Sequence, residues 1–128
     1  TATKEKEVEP KKEINYQGIN IKEGIRHANN SEALYMEVLK EFNTAYGTSD
    51  EIFSKLIREH RYEQVKMLCV DMRGLTGTIG AENMHTLVTE ILNKILYKKY
   101  DMHINYKEKY QSEKKTLNHS IEQYVDAA

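Results

Sequence analysis

The chain of 128 residues holds one cysteine, one proline and no tryptophan, and no apolar run in it approaches the length of a membrane span. Each scarcity removes a class of protein. The lone Cys69 has no partner for an internal disulfide framework. One proline and six glycines leave room for long helices. Neither a bilayer-spanning segment of about 20 apolar residues nor a secretory signal pattern is found, so no membrane association is expected and the cytoplasm is the expected compartment. Net charge is −1 at pH 7, without the basic excess that neutralises a nucleic-acid backbone, and nucleic acid is not an expected partner.

What the chain does have is enough apolar material for one core, at 39% hydrophobic, and too few residues for two. Residues 1–13 carry eight charged positions and little that burial could reward, so they read as a disordered linker ahead of a helical domain over 14–128. A chain that opens on threonine reads as an excised piece of a longer signalling protein.

Within 14–128 the apolar residues recur at helical spacing. Leu34, Tyr35, Val38, Leu39, Phe42 and Tyr46 form one stripe, with Ser31 placed to cap it. Gly47-Thr48-Ser49 interrupts, and a helix carrying Ile52, Phe53, Leu56 and Ile57 follows, capped by Ser49 or Asp50. A helix from Tyr62 to Ile79 stops at Gly80. Met84, Leu87, Val88, Ile91, Leu92, Ile95 and Leu96 make the cleanest stripe. The last helix, from about Tyr106 to Val125, buries Tyr110, Leu117, Ile121 and Tyr124 across a polar gap at 112–115. Short connections favour antiparallel neighbours, so the expected architecture is all-α, an up-down four-helix bundle with a short N-terminal helix.

The stretch from Val70 to Ala81, VDMRGLTGTIGA, breaks the helical economy of the rest. Each interior glycine costs a helix roughly 1 kcal/mol relative to alanine, so Gly74 and Gly77 suggest a use for bare backbone. Val65, Leu68, Cys69, Met72, Leu75, Thr76 and Ile79 define the buried face. At about 100° per residue, Val70 falls roughly 160° from Met72, with Gly74 and Gly77 within about 40° of Val70. Val70 is therefore expected to face water, floored by two glycines and bordered by Lys66 and Arg73. Cys69 turns inward instead, as a buried structural thiol.

This spacing resembles the signature of histidine-containing phosphotransfer domains, in which an exposed helical histidine is followed three residues later by lysine, then glycine, and later by an apolar-Gly-Ala ending. Met72, Gly74, Gly77, Ile79, Gly80 and Ala81 match as they stand. Arg73 occupies the lysine position and keeps its charge, though not its shape. Residues 18–25 are similar to the family's short leading helix, and residues 31–35 to the start of its first long one. The departure lies at the phosphoacceptor position, which holds Val70, a residue with no nucleophile. The resemblance implies a domain of a two-component phosphorelay whose partner is a response-regulator receiver domain, in cis or in trans. With no acceptor, the expected role is receiver docking through Lys66, Val70, Arg73, Gly74 and Gly77, with no catalytic residue, no cofactor and no enzymatic activity of its own.

Two alternatives carry different expectations. A displaced acceptor, His60 or His85, would keep the relay active. A purely structural bundle would self-associate through its last helix, although its apolar positions form no uninterrupted heptad seam. His60 reads as a loop residue and His85 as a half-buried, hydrogen-bonded one. No two of the five histidines stand three or four residues apart, so helical metal-ligand spacing is absent and no metal is expected.

Overall fold

The computed structural model describes residues 15–97 and 103–127, the side chains of 103 and 104 apart. The linker expected over 1–13 lies outside the described residues. The described residues form six helices and no strand: α1 Ile21–His27, α2 Glu32–Tyr46, α3 Ser49–Arg58, α4 Tyr62–Ile79, α5 Glu82–Leu96 and α6 His103–Ala127. The all-α expectation holds. Helices α3, α4, α5 and α6 close a cycle in which each touches the next, and α1 and α2 pack on α4 and on each other.

Local chemistry sets most of the helix boundaries. The Asn20 side chain accepts from the Glu23 backbone N–H at 3.1 Å to start α1, and Ser31 Oγ accepts from Leu34 N–H at 3.1 Å to start α2, as its position in the sequence suggests. The chain turns between these two helices through Asn29 and Asn30 at φ 58° and 61°, a left-handed conformation that asparagine tolerates better than most side chains. Helix α3 departs from the sequence reading: its N-cap is Thr48, without a side-chain cap bond. Ser49 lies inside the helix and is fully buried, its hydroxyl 2.8 Å from the Tyr110 hydroxyl of α6. A cross-helix partner has drawn that side chain away from capping.

Helix α4 ends in a clamp. The last carbonyls of a helix have no intrahelical donor and need partners from elsewhere. Here Thr76 O accepts from Ala81 N–H at 2.8 Å and Gly77 O from Gly80 N–H at 3.3 Å, closing the helix around Gly80 at φ 81°. Thr78 O accepts from the His27 Nδ1–H at 3.1 Å, Ile79 O from the Tyr35 hydroxyl at 2.8 Å, and Gly80 O from Asn20 N–H at 2.7 Å. The donors come from α1, α2 and the residue before α1. Close approach depends on Gly24, where a Cβ would stand 2.2 Å from the Tyr35 ring and 2.6 Å from Ile79 O.

The core contains Tyr35, Leu39, Phe53, Val65, Met72, Ile79, Met84, Ile91, Leu117 and Ile121. Leu34, Ile52 and Leu96, counted in the sequence with the buried stripes, are exposed instead. Each sits at the edge of its stripe, where a shift of a few tens of degrees decides between core and water. Helix α6 docks partly through polar contacts. Tyr110 stacks on Phe53 with ring centroids 4.2 Å apart, the Gln111 side-chain amide donates to Ser54 Oγ at 2.9 Å, and Asn118 donates to Gly47 O at 3.1 Å. The expected polar gap at 112–115 contains a buried residue, Lys114, whose ammonium donates to Asn118 Oδ1 at 2.6 Å and lies 5.3 Å from the centre of the Phe42 ring.

Burial pulls the Lys114 ammonium down from an ordinary 10.5 to about 8, against the opposing pull of the Asp50 charge. Below about pH 8 both folded and unfolded chains hold this proton, and the penalty of the buried charge is present in full. Between about 8 and 10.5 the unfolded chain keeps a proton that the folded chain has released, so this residue's contribution to stability rises with pH. Lys114→Met is expected to stabilise the domain by about 2 kcal/mol at pH 7 and to remove that rise, read from urea midpoints at pH 7 and pH 10. Gly24→Ala is expected to destabilise by about 2 kcal/mol in the same assay, because the new methyl forces the Tyr35 ring and the α4 terminus apart.

Candidate docking surface

The five residues singled out in the sequence all lie on α4, and their surroundings differ. Val70 is 43% exposed, while Val65, Cys69, Met72, Thr76 and Ile79 of the same helix are fully buried. The helix therefore presents the phase read from its periodicity. Arg73 and Gly74 are exposed, Lys66 and Gly77 half-buried. Among the described residues, neither the Lys66 ammonium nor the Arg73 guanidinium has a hydrogen-bond or ion-pair partner.

The two glycines are not demanded by internal packing. A Cβ at Gly74 would meet nothing within 4 Å, and one at Gly77 would meet the His85 ring at 3.5 Å, an ordinary van der Waals distance. Their locations contrast with Gly24, which has no room for a methyl. Helix-to-helix contact thus accounts for Gly24 and leaves Gly74 without an internal reason.

Two participants escaped the sequence reading. Met67, 65% exposed, lies one turn before Val70 and extends its apolar strip toward the start of the helix. Its position, three residues before Val70 and off the buried stripe, was the available signal. The other is the exact seat of His85, which α5 brings against Gly77. Its Nδ1–H donates to Arg73 O at 2.9 Å, with Thr76 Oγ1 3.4 Å away, and that bond makes Nδ1 the protonated nitrogen of the neutral ring. This contact joins residues twelve apart on successive helices, α4 and α5, and no local pattern announces it.

The remaining chemistry-bearing groups lie outside this surface. Cys69 is buried and its thiol is pushed up to about 12 by desolvation, so it is not a thiolate at neutral pH. His60 occupies the turn before α4 at φ 56°, with Nδ1 3.0 Å from the Tyr62 hydroxyl. Asp71, next to Val70 in sequence, accepts from the Tyr46 hydroxyl at 3.4 Å and faces α2. Among the described residues no group of three His, Cys, Asp or Glu side chains could hold a metal ion, and no helix is long and apolar enough to cross a membrane. A concavity beside α1, lined by Tyr16, Asn20, Lys22, Glu32, Glu82 and Tyr124, involves none of the α4 residues.

Comparison with known proteins adds no identification: no family model, no curated protein and no solved structure matches this chain.

The surface offers a shallow apolar strip with bare backbone at its floor and, along one flank, two cations without partners among the described residues. It has no nucleophile at its centre. Because Gly74 has open space above it, Gly74→Ala is expected to raise stability by about 1 kcal/mol through helix propensity alone, opposite in sign to the same change at Gly24. Thermal or urea unfolding of the two variants side by side checks this.

Proposed function

We propose that this chain is a phosphotransfer-type signalling domain that has lost its acceptor and serves, in the cytoplasm, as a docking module for a response-regulator receiver domain. The all-helical pattern, the cycle of α3 to α6 with the short α1 and the longer α2 packed on α4, and the signature on α4 support an HPt-like helical bundle as its architecture. The observation that carries the function is Gly74: an exposed helical glycine that no internal neighbour requires, beside Val70 and Met67, with Lys66 and Arg73 along the other flank of Val70 and without partners among the described residues. Bare backbone lets a partner helix approach closely, and an apolar centre rimmed by charge is the usual composition of a transient interface.

In this reading Val70 packs where an acceptor histidine would have reached, and Arg73 and Lys66 face the acidic pocket of the receiver. No phosphoryl group is taken up. Binding holds the receiver in place, in cis or in trans, rather than relaying its phosphate. Isothermal titration against receiver domains from the same genome tests it: Gly74→Arg is expected to weaken binding at least tenfold without loss of helicity. Equal affinity of the two proteins would remove α4 from the interface.

A second reading has one observation in its favour. His85 sits against the glycine strip with Nδ1 committed to Arg73 O, which leaves Nε2 as the lone-pair nitrogen of the neutral ring. An active relay through His85 requires acid-labile label to pass from a phosphorylated receiver to this chain and to vanish in His85→Gln. The docking reading expects no label on the natural chain, and label on Val70→His if only the nucleophile is missing.

A further inference from the structure

We propose that the α4 surface distinguishes the two states of its receiver, binding the form whose aspartate carries a phosphoryl group in preference to the unmodified form. The inference rests on the docking reading and adds a direction to it. Lys66 and Arg73 stand four residues before and three residues after Val70, about 6 Å and 4.5 Å along the axis, and both lie roughly 40–60° to the same side of it. Two cations thus bracket the centre of the surface along one flank. Neither has a partner among the described residues.

The acidic groups of this surface lie elsewhere. Glu63 is two turns before Val70, and Asp71 lies about 100° round the helix, where the Tyr46 hydroxyl binds it. From α5, His85 reaches this surface, its Nδ1–H held by Arg73 O. The carboxylates of α4 thus lie to the other side of Val70 from Lys66 and Arg73, and neither cation forms an ion pair with them. Against an apolar or neutral partner, two unpaired cations at a contact are a desolvation penalty with nothing in return. Against an aspartyl phosphate, which carries up to two negative charges where the unmodified carboxylate carries one, the same cations gain Coulombic energy that partial exclusion of water strengthens.

Val70 fixes the chemical outcome. Its side chain has no lone pair to attack phosphorus, so no bond forms to this chain and the acyl phosphate of the receiver stays intact. The domain reads the phosphorylated state and leaves it in place. With an acceptor histidine at 70, the same cations would serve transfer; without one, they serve recognition.

The test uses the whole chain and a receiver domain from the same genome, unmodified or loaded with magnesium and beryllium fluoride, a stable stand-in for the aspartyl phosphate. Affinity for the loaded receiver is expected to be about tenfold higher, to fall back to the unloaded value in the Lys66→Ala/Arg73→Ala double variant, and to shrink as salt is raised. Both substituted side chains lack internal partners, so circular dichroism should be unchanged. Equal binding of loaded and unloaded receiver, or a preference that survives the double variant, overturns the state-selective reading and leaves docking intact. Binding of neither form to any receiver of the genome overturns docking as well. Phosphate found on this chain after mixing with a phosphorylated receiver contradicts passive reading.

Discussion

Five consecutive carbonyls, Thr76 through Gly80, close the end of α4, and each of them has a donor. A helix end buried without partners would be costly, since every unpaired carbonyl forfeits its water. This one is supplied from three directions: its own turn at Gly80, the residues around α1, and Tyr35 of α2. The consequence is orientational. Tyr35, Gly24 and Asn20 fix one end of α4 against α1 and α2, while Val65, Cys69 and Met72 fix its inner face in the core. The opposite face, with Met67, Val70 and Gly74, has no choice but to look outward.

The far side of the bundle is held by a different kind of contact. Helix α6 is polar in composition, yet it is anchored by Tyr110 on Phe53, by Ser49 and Ser54 of α3, and by the Lys114–Asn118–Gly47 chain of hydrogen bonds. At its C-terminal half Tyr124 donates to Glu32 and packs edge-on against both Tyr16 and Tyr35. The aromatic cluster therefore ties α6 to the same Tyr35 that clamps α4. Polar specificity here comes with a penalty at Lys114, whose charge is buried with one hydrogen-bond acceptor.

Periodicity made the helices legible, and the outward phase of Val70 followed from counting residues alone. The stop at Gly80 was legible because a glycine at the end of an apolar stripe has one common use. Contacts between distant residues were not. Ser49 reads as a cap until Tyr110 is known to lie across from it, and Lys114 reads as a solvated charge until α6 is docked. The His85 contact with Arg73 O depends on how α5 returns along α4, which no local pattern encodes. The candidate surface was largely legible because it lies on one helix; Met67 was overlooked because an isolated methionine does not stand out from a stripe whose centre is elsewhere.

What the fold and the sequence jointly support is a helix displaying a small apolar strip, bare backbone and two cations without partners among the described residues, centred on the position that the proposed reading equates with a lost acceptor. The proposal of a silent docking module rests on that display. Chemical-shift mapping on the isotope-labelled chain tests it most directly, by titrating in an unlabelled receiver and recording which backbone amides move. The account predicts that the perturbed amides centre on Met67, Val70, Arg73, Gly74 and Gly77, with His85 at the margin. A footprint centred on α3 and α6, with the α4 amides unmoved, would contradict it.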